Sequence, residues 1–284
     1  MLQNKTVTFI GAGSMAEAMA AGMIESGTIE PERIIMTNRS NEERRQELME
    51  NHGVLATQSI EFAVREADVV ILAMKPKDIE KALKGIEEYI TNEQLLLSVL
   101  AGVPSAFIEE SLEGEQPVIR VMPNTSSMIG KSISALAAGK YVDEEQITIA
   151  RALIRSIGDT VVIDEEQMDV FTGVAGSGPA YIYYVIESLE KAAVEGGLEE
   201  ETARKMAVQT VLGAGMMAEQ SEDSPSELRK KVTSPNGTTQ AGLEALYENG
   251  GGDAFVEAVR NAAVRSKEIS SQFDEENEKK PVMQ

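Results

Sequence analysis

Residues 5–16 read KTVTFIGAGSMA, and the order of features in that stretch decides the fold. Lys5–Ile10 alternates and is rich in β-formers, the mark of a buried first strand. Gly11-Ala12-Gly13-Ser14-Met15-Ala16 follows at once, and a helical pattern then runs to about Ser26. G-x-G-x-x-A between a strand and a helix is the context a dinucleotide fingerprint requires. Gly11 allows the tight turn, Gly13 lets backbone approach a pyrophosphate, and Ala16 lets helix and strand pack closely. The pyrophosphate then rests on the helix N-terminus, with Ala12, Ser14 and Met15 completing the expected cofactor contacts. The competing reading is a glycine-rich turn in some other α/β fold.

Working outward, strand-like and helix-like segments alternate through the first half. Arg33–Thr37 is the second strand, then come a helix near Glu42–Asn51 and a short strand at Val54–Ala56. Asp68–Ala73 is apolar nearly throughout, which suits a parallel strand buried on both faces. Lys77–Ile90 has apolar residues at helical spacing, and Gln94–Leu100, Val118–Met122, Ser134–Ala138 and Thr160–Ile163 read as further strands. A helix at Glu144–Ile157 lies between the last two. This pattern predicts an α/β fold, a doubly wound Rossmann sheet over residues 1–163. From Asp164 the texture is helical only: Ala180–Ala193, Glu200–Glu219, Ser226–Lys231, Thr239–Glu248 and Asp253–Ser270. Residues 164–284 therefore form a second, all-helical domain, with a polar tail from about 272 expected to fray.

The end of the second strand selects the dinucleotide. An acid there would bond the ribose 2′-hydroxyl of NAD. The chain instead has Asn38-Arg39-Ser40. A charge-assisted bond from Arg39 to a 2′-phosphate is worth about 1.5–3 kcal/mol, roughly 10- to 100-fold in preference. NADPH is the expected cofactor, with NADH possible. The alternative is that Arg39 is a solvated loop arginine paired with Glu42 or Glu43.

Composition sets the outer limits. The chain has 284 residues, enough for two domains, and a formal net charge of −21. Nucleic acid is not an expected partner, because phosphate binding calls for basic patches. The same charge repels an anionic ligand at long range, so a site needs local positive potential from Arg39, Lys75, Lys231 and helix N-termini. Cysteine is absent, which removes disulfides and thiolate chemistry and suits a reducing cytoplasm. Met1–Lys5 is polar, so no signal peptide is expected, and no apolar run is long enough to span a membrane. His52, at the end of a helix, is the one histidine. That is a place for a C-terminal cap rather than for catalysis, and no metal site is expected.

In the helical half, residues 232–239 read Val-Thr-Ser-Pro-Asn-Gly-Thr-Thr, after Arg229, Lys230 and Lys231. Hydroxyls, a proline and a glycine side by side can aim several N–H groups and hydroxyls at one small anion, which suggests a carboxylate pocket. The plainer reading is a helix N-cap, with Thr233 or Ser234 capping and Pro235 in the first turn. Met206, Met216 and Met217, the small residues around them and Tyr181, Tyr183 and Tyr184 read as core packing, with a dimer interface as the second reading.

These motifs together resemble the pyrroline-5-carboxylate reductases. The resemblance rests on GAGSMA, on Ala73-Met74-Lys75-Pro76, and on Ala101-Gly102-Val103. It continues through Arg120-Val121-Met122-Pro123-Asn124-Thr125, Gly176-Ser177-Gly178-Pro179-Ala180-Tyr181 and the Val232–Thr239 run. It implies a Rossmann domain followed by a helical domain that interlocks two subunits, as a homodimer or a larger homo-oligomer. It also implies hydride transfer from NAD(P)H to the C=N bond of pyrroline-5-carboxylate. By the family pattern Ser234, Gly237, Thr238 and Thr239 bind the substrate carboxylate and ring nitrogen, with Thr239 nearest the imine. Ala73, Met74, Lys75, Pro76, Leu100 and Ala101 line the nicotinamide and its ribose. Two departures stand out: Asn236 where the family usually has glycine, and Ser59-Ile60 where an asparagine often precedes the third helix. Asparagine tolerates left-handed angles better than most residues, so the turn is expected to survive.

Reduction of a cyclic imine needs a hydride at carbon and a proton at nitrogen, and solvent can supply the proton before binding. Thr239 then orients rather than acts as a strong acid. Glu222 is a further candidate, able to face a positive iminium, although it also reads as one surface acid among Glu219, Asp223 and Glu227. The hydroxyl-rich turn is expected to meet the nicotinamide in its own subunit or a partner's. Two other functions fit parts of the pattern: a related two-domain NADP-dependent dehydrogenase, and a non-catalytic NADPH-binding protein.

Overall fold

The computed structural model describes residue 2 and residues 4–278, with side chains described as far as Phe273. All eight expected strands form one sheet. β1 (Val7–Ile10), β2 (Ile34–Thr37), β4 (Val69–Leu72) and β5 (Leu95–Ser98) are buried along their whole length. That is what strands covered by helices on both faces require, and it explains their nearly continuous apolar sequence. With β3 (Leu55–Thr57), β6 (Val118–Met122), β7 (Ser132–Ala138) and β8 (Gly158–Val162), the order is β3-β2-β1-β4-β5-β6-β7-β8. Every neighbouring pair is parallel except β6 and β7. The strand order turns back between β1 and β4, and the crevice at their carboxyl ends is where such sheets bind ligands.

Two apolar layers flank the sheet. On one side α1 (Ser14–Glu25), α2 (Glu42–His52) and α6 (Glu144–Ile154) contribute Met19, Met23, Leu48, Leu153 and Ile154 to a core with Phe9 and Ile71. On the other, α3 (Ile60–Arg65), α4 (Ile79–Ile86) and α5 (Ser105–Glu110) bury Val64, Leu83, Ile86 and Phe107 against Val70 and Leu96. α4 owes its face to Ile79, Leu83 and Ile86, one and two turns apart. α5, a short helix, has no counterpart in the pattern read from the sequence.

The molecule divides into two compact units, Met1–Gly176 with the segment from Ala262 on, and Ser177–Asn261. Residues 164–176, which the sequence groups with the helical half, lie in the sheet unit. They form α7 (Met168–Phe171) and a wide helical turn, Thr172–Gly176. Met168 is fully buried with Ala135 and Ala137, and Asn124 Nδ2 donates to Ala175 O at 3.0 Å. The segment from Ala262 belongs there for similar reasons. Ser266 Oγ donates to Asp169 at 2.6 Å, and the Phe273 ring meets Phe107 edge-on at 5.1 Å. The polar tail expected to fray from 272 is helical as far as Glu278, because Phe273 anchors it; 279–284 lie outside the described residues.

The second unit consists of α8 (Gly178–Glu195), α9 (Glu200–Gln220), α10 (Pro225–Lys231), α11 (Thr238–Glu248) and the first part of α12 (Gly251–Glu278). α8 and α9 pack on each other, tied by Arg204 Nη2 donating to Glu190 at 2.9 Å. Met206, Met216 and Met217 are about half exposed, at 51%, 47% and 59%, so they are not a core of the single chain. Tyr183 and Tyr184 are exposed as well, while Tyr181 donates from its hydroxyl to Ala258 O.

Candidate functional site

The fingerprint turn sits at the switch point between β1 and β4. Gly11 has φ +117, and a Cβ there would lie 2.7 Å from Ala73 O, so only glycine fits the turn against the end of β4. Its N–H donates to Thr37 Oγ1 at 3.3 Å, and Thr37 Oγ1 donates to Phe9 O at 3.1 Å, which locks the turn to β2. Gly13 is the N-cap of α1 and offers no side-chain cap, and a Cβ there would meet nothing within 4 Å. Among the described residues the N–H groups of Gly13, Ser14 and Met15 have no protein acceptor. Uncapped donors at a helix N-terminus, facing open space, are what an anion needs.

A cavity of about 650 Å³ opens there. It is lined by Gly11–Met15, by Asn38, Arg39 and Ser40 after β2, and by Ala73, Met74 and Lys75 after β4. The structure thus brings together three segments that the sequence assigned to one cofactor. Arg39 is exposed, as the alternative of a solvated loop arginine expects, although among the described residues no ion pair joins it to Glu42 or Glu43. Its guanidinium instead approaches Gly85 of α4, where an added Cβ would be 3.8 Å away. Asn38 is half-buried, and its Oδ1 accepts from the N–H groups of Ser40 and Asn41, which shapes the loop that carries Arg39. Pro76 opens a single tight turn, Pro76–Asp78, and does not line the cavity. Leu100 is 2% exposed in the apolar core and Ala101 is exposed beyond β5; neither lines the cavity.

The cavity wall also includes Thr37, Ile60, Asp78, Lys81 and Ala82, which sequence reasoning missed. For Lys81 a signal existed: it lies one turn past Pro76-Lys77-Asp78, so the helix starting there must carry it near Lys75. Ser59 caps α3, with its Oγ accepting from Phe62 N at 3.2 Å. The departure at Ser59-Ile60 therefore keeps the helix start and puts an apolar side chain on the cavity wall. His52 does not cap its own helix. Gly53 does so with φ 70, and His52 Nε2 lies 3.0 Å from Glu17 Oε1. The sheet unit has a larger concavity, about 890 Å³, but Glu109, Glu110, Asp164, Glu165 and Glu166 line it, which suits no pyrophosphate.

In the second unit the hydroxyl-rich turn joins α10 to α11. Val232 closes α10, and α11 begins at Thr238 with Gly237 as N-cap. Neither Thr233 nor Ser234 caps the helix, and Pro235 lies outside its first turn. Thr233 Oγ1 turns back to Arg229 O at 2.6 Å, and Gly237 N donates to Ser234 O at 3.0 Å. That closed turn requires a left-handed residue, and Asn236 supplies it at φ 59. It has the only positive φ outside glycine among the described residues, so the substitution keeps the backbone path. Gly237 contributes no capping side chain, so the N–H groups of Thr238, Thr239 and Gln240 remain without a protein acceptor. The hydroxyls of Ser234, Thr238 and Thr239 are exposed beside them and make no hydrogen bond among the described residues. Lys231 pairs with Asp223 and holds that carboxyl below its usual range, so it is not a free cation for the turn. Glu222, next to that pair, is exposed in the link between α9 and α10.

Two open helix N-termini, one in each unit, are what the geometry offers: one beside a dinucleotide-sized cavity, one ringed by hydroxyls. A pyrroline-5-carboxylate reductase dimerisation domain matches residues 165–269, and an NADP oxidoreductase coenzyme F420-dependent domain matches residues 6–102. Pyrroline-5-carboxylate reductase 1 of Bacillus subtilis is 50% identical over 274 residues, covering 96% of this chain and 92% of that protein. The structure of a pyrroline-5-carboxylate reductase from Coxiella burnetii aligns with TM-score 0.89 at 36% identity, over 94% of this chain and 99% of its own. A Plasmodium falciparum pyrroline carboxylate reductase with NADP bound aligns with TM-score 0.85 at 29% identity, over 95% and 100%. A chain so similar from end to end belongs to the pyrroline-5-carboxylate reductase family.

Proposed function

We propose that the chain reduces the C=N bond of L-1-pyrroline-5-carboxylate to give L-proline, with NADPH as the preferred cofactor. The reading is carried by the end-to-end likeness to reductases of that name, in a chain that keeps both open helix N-termini. The N–H groups of Gly13, Ser14 and Met15 would hold the pyrophosphate. Arg39, with Asn38 and Ser40, would hold the 2′-phosphate, and Lys75 a phosphate or the ribose. The nicotinamide supplies the hydride.

The substrate carboxylate would rest on the N–H groups at the start of α11 and on the hydroxyls of Ser234 and Thr238. Gly237 keeps that helix start uncapped. Thr239 would orient the ring nitrogen, and Glu222 would give a countercharge to the protonated imine. The proton comes from solvent and the hydride goes to carbon, so a neutral hydroxyl at Thr239 suffices. Positioning is the chain's main contribution, and alignment of donor and acceptor can remove about 7–11 kcal/mol of barrier.

The half-exposed Met206, Met216, Met217 and Leu212 of α9 support a homodimer, because apolar faces of this size need a partner. Among the described residues no helix is long and apolar enough to cross a membrane. A cysteine-free sequence suits the cytoplasm, which is the proposed location.

The test is direct. Purified protein is mixed with NADPH and pyrroline-5-carboxylate, loss of reduced-cofactor absorbance is followed, and the assay is repeated with NADH. Turnover with NADPH, and slower turnover with NADH, is expected. Cofactor binding without turnover in either assay would favour a non-catalytic NADPH-binding role.

A further inference from the structure

Arg44 of α2 reaches across to the fingerprint turn. Its backbone is fixed first: Asn41 caps the helix, with Oδ1 accepting from Arg44 N at 2.9 Å. Its side chain, 18% exposed, then makes three contacts. Nε donates to Ala12 O at 3.1 Å, Nη1 donates to Glu47 Oε2 at 2.8 Å, and Nη2 donates to the Glu17 carboxylate.

The Ala12 contact bears directly on the cavity. A trans peptide is planar, so its C=O and N–H point in opposite directions. Holding Ala12 O against Arg44 turns the Gly13 N–H away from α2. That N–H has no protein acceptor among the described residues, and Gly13 is part of the cavity wall. The Glu17 contact bears on the same place. Glu17 lies in the first turn of α1, where an acid favours the helix but repels a pyrophosphate at the same terminus. Burial disfavours its ionisation, yet hydrogen bonds from Arg44 and His52 outweigh that, and its carboxyl lies below its ordinary range. The acid is therefore charged, and Arg44 is the fixed cation that covers it.

We propose that Arg44 is a positioning residue of the dinucleotide site: it orients the Ala12–Gly13 peptide toward the pyrophosphate and neutralises Glu17 beside it. The inference rests on the reading of the cavity as a dinucleotide site. It goes further by assigning a role to a residue outside both the fingerprint and the cavity wall. Because the pyrophosphate is common to both cofactors, Arg44 acts on NADPH and NADH alike, whereas Arg39 acts on NADPH alone.

The experiment measures dissociation constants for NADPH and NADH by calorimetry at fixed ionic strength. It uses the full-length wild type, Arg44→Met, Arg44→Lys, Glu17→Gln and the Glu17→Gln/Arg44→Met pair, with melting temperatures beside them. Arg44→Met is expected to weaken both cofactors by a common factor of about tenfold, the size of one charge-assisted contact. Adding Glu17→Gln should restore part of the loss, because the uncovered acid is gone but the peptide is still free. Arg44→Lys keeps the charge without the planar fork and should fall between; it also decides the matter if Arg44→Met does not fold. In steady state, KM for both cofactors should rise while kcat stays within about twofold. A merely structural arginine would lower the melting temperature and leave the dissociation constants of the folded protein unchanged. That result would overturn the proposal, as would a loss confined to NADPH, which would make Arg44 a 2′-phosphate ligand. A wild type that binds neither dinucleotide would instead remove the reading of the cavity, and with it this role.

Discussion

Asn236→Ala tests the backbone of the hydroxyl-rich turn. Asn236 is held at φ 59, where a β-carbon crowds the following carbonyl. That crowding costs an ordinary L-residue about 1–2 kcal/mol, and asparagine less, because its short polar side chain makes local bonds. Alanine should therefore cost about 1 kcal/mol relative to the native residue. The cost should fall on the turn itself, because Asn236 is exposed and its backbone is tied only locally, by its N–H donating to Gln240 Oε1 at 2.8 Å. If the turn opens to relieve it, the ratio of closed to open turn falls about fivefold for 1 kcal/mol, and where the free turn is mostly open the apparent affinity falls almost as far. The expected result is a KM for pyrroline-5-carboxylate raised about three- to fivefold at saturating NADPH, with kcat close to wild type. Asn236→Gly removes the crowding but adds about 0.5–1 kcal/mol of chain freedom, so its KM should stay within about twofold of wild type. Steady-state kinetics with urea melts on the three proteins would decide it. A KM for Asn236→Ala equal to that of wild type, or a glycine variant as impaired as the alanine one, would refute the reasoning. The first result would mean that the angle does not matter, and the second that the asparagine side chain does.

Three further outcomes are expected. Arg39→Ala should raise the dissociation constant for NADPH about tenfold, the low end for a charge-assisted bond because Arg39 is exposed, and leave NADH unchanged; calorimetry with both cofactors checks this. Thr239→Ala should lower kcat/KM about tenfold without shifting the melting temperature, since the side chain is exposed, while Thr239→Ser should keep most activity. Glu109 is buried, and burial, with repulsion from Glu165, raises its pKa above the ordinary 4.5 despite hydrogen bonds from the N–H groups of Lys140 and Tyr141. A carboxyl raised in the folded state contributes stability that is complete below pH 4.5 and is lost as pH rises through the folded value. Glu109→Gln should thus melt above wild type at pH 8, with the gain shrinking toward pH 4.5; a gain that does not depend on pH would contradict this.

The sheet was legible from sequence because its signals are local. Buried strands such as Val69–Leu72 are continuous apolar runs, and the glycines after β1 announce their own turn. The Asn38–Ser40 loop and Ala73–Lys75 could be placed on one cavity because strand ends in a doubly wound sheet converge. What stayed hidden depends on contacts far apart in the chain. Residues 164–176 look helical, and only the packing of Met168 on β7 and the Asn124 bond to Ala175 assign them to the sheet unit. The polar tail gives no hint that Phe273 reaches Phe107, 166 residues away by position, 273 less 107. The resemblance sets Leu100 beside the nicotinamide, yet its side chain is committed to the core, which leaves only its backbone for such a contact. The capping reading of Thr233 and Ser234 failed because the turn needed a left-handed residue first, which moved the helix start to Thr238.

A chain with a net charge of −21 that binds two anionic molecules poses an electrostatic problem, and the structure indicates how it is handled. Of the three cations that precede the hydroxyl-rich turn, Arg229, Lys230 and Lys231, the last is already committed to Asp223. The donors left open there are backbone N–H groups, whose partial charge needs no counterion and survives in an acidic surrounding. The fingerprint turn uses the same kind of donor, with Arg39, Lys75 and Lys81 added on the cavity wall. The long-range repulsion is screened over about 8–10 Å in physiological salt, so an anion at contact distance responds to these local groups rather than to the total charge. On this account an acidic surface and an anion site are compatible as long as nearby acids are covered. Glu17 is the acid that sits at such a terminus, and it is also the one that Arg44 and His52 hold in place.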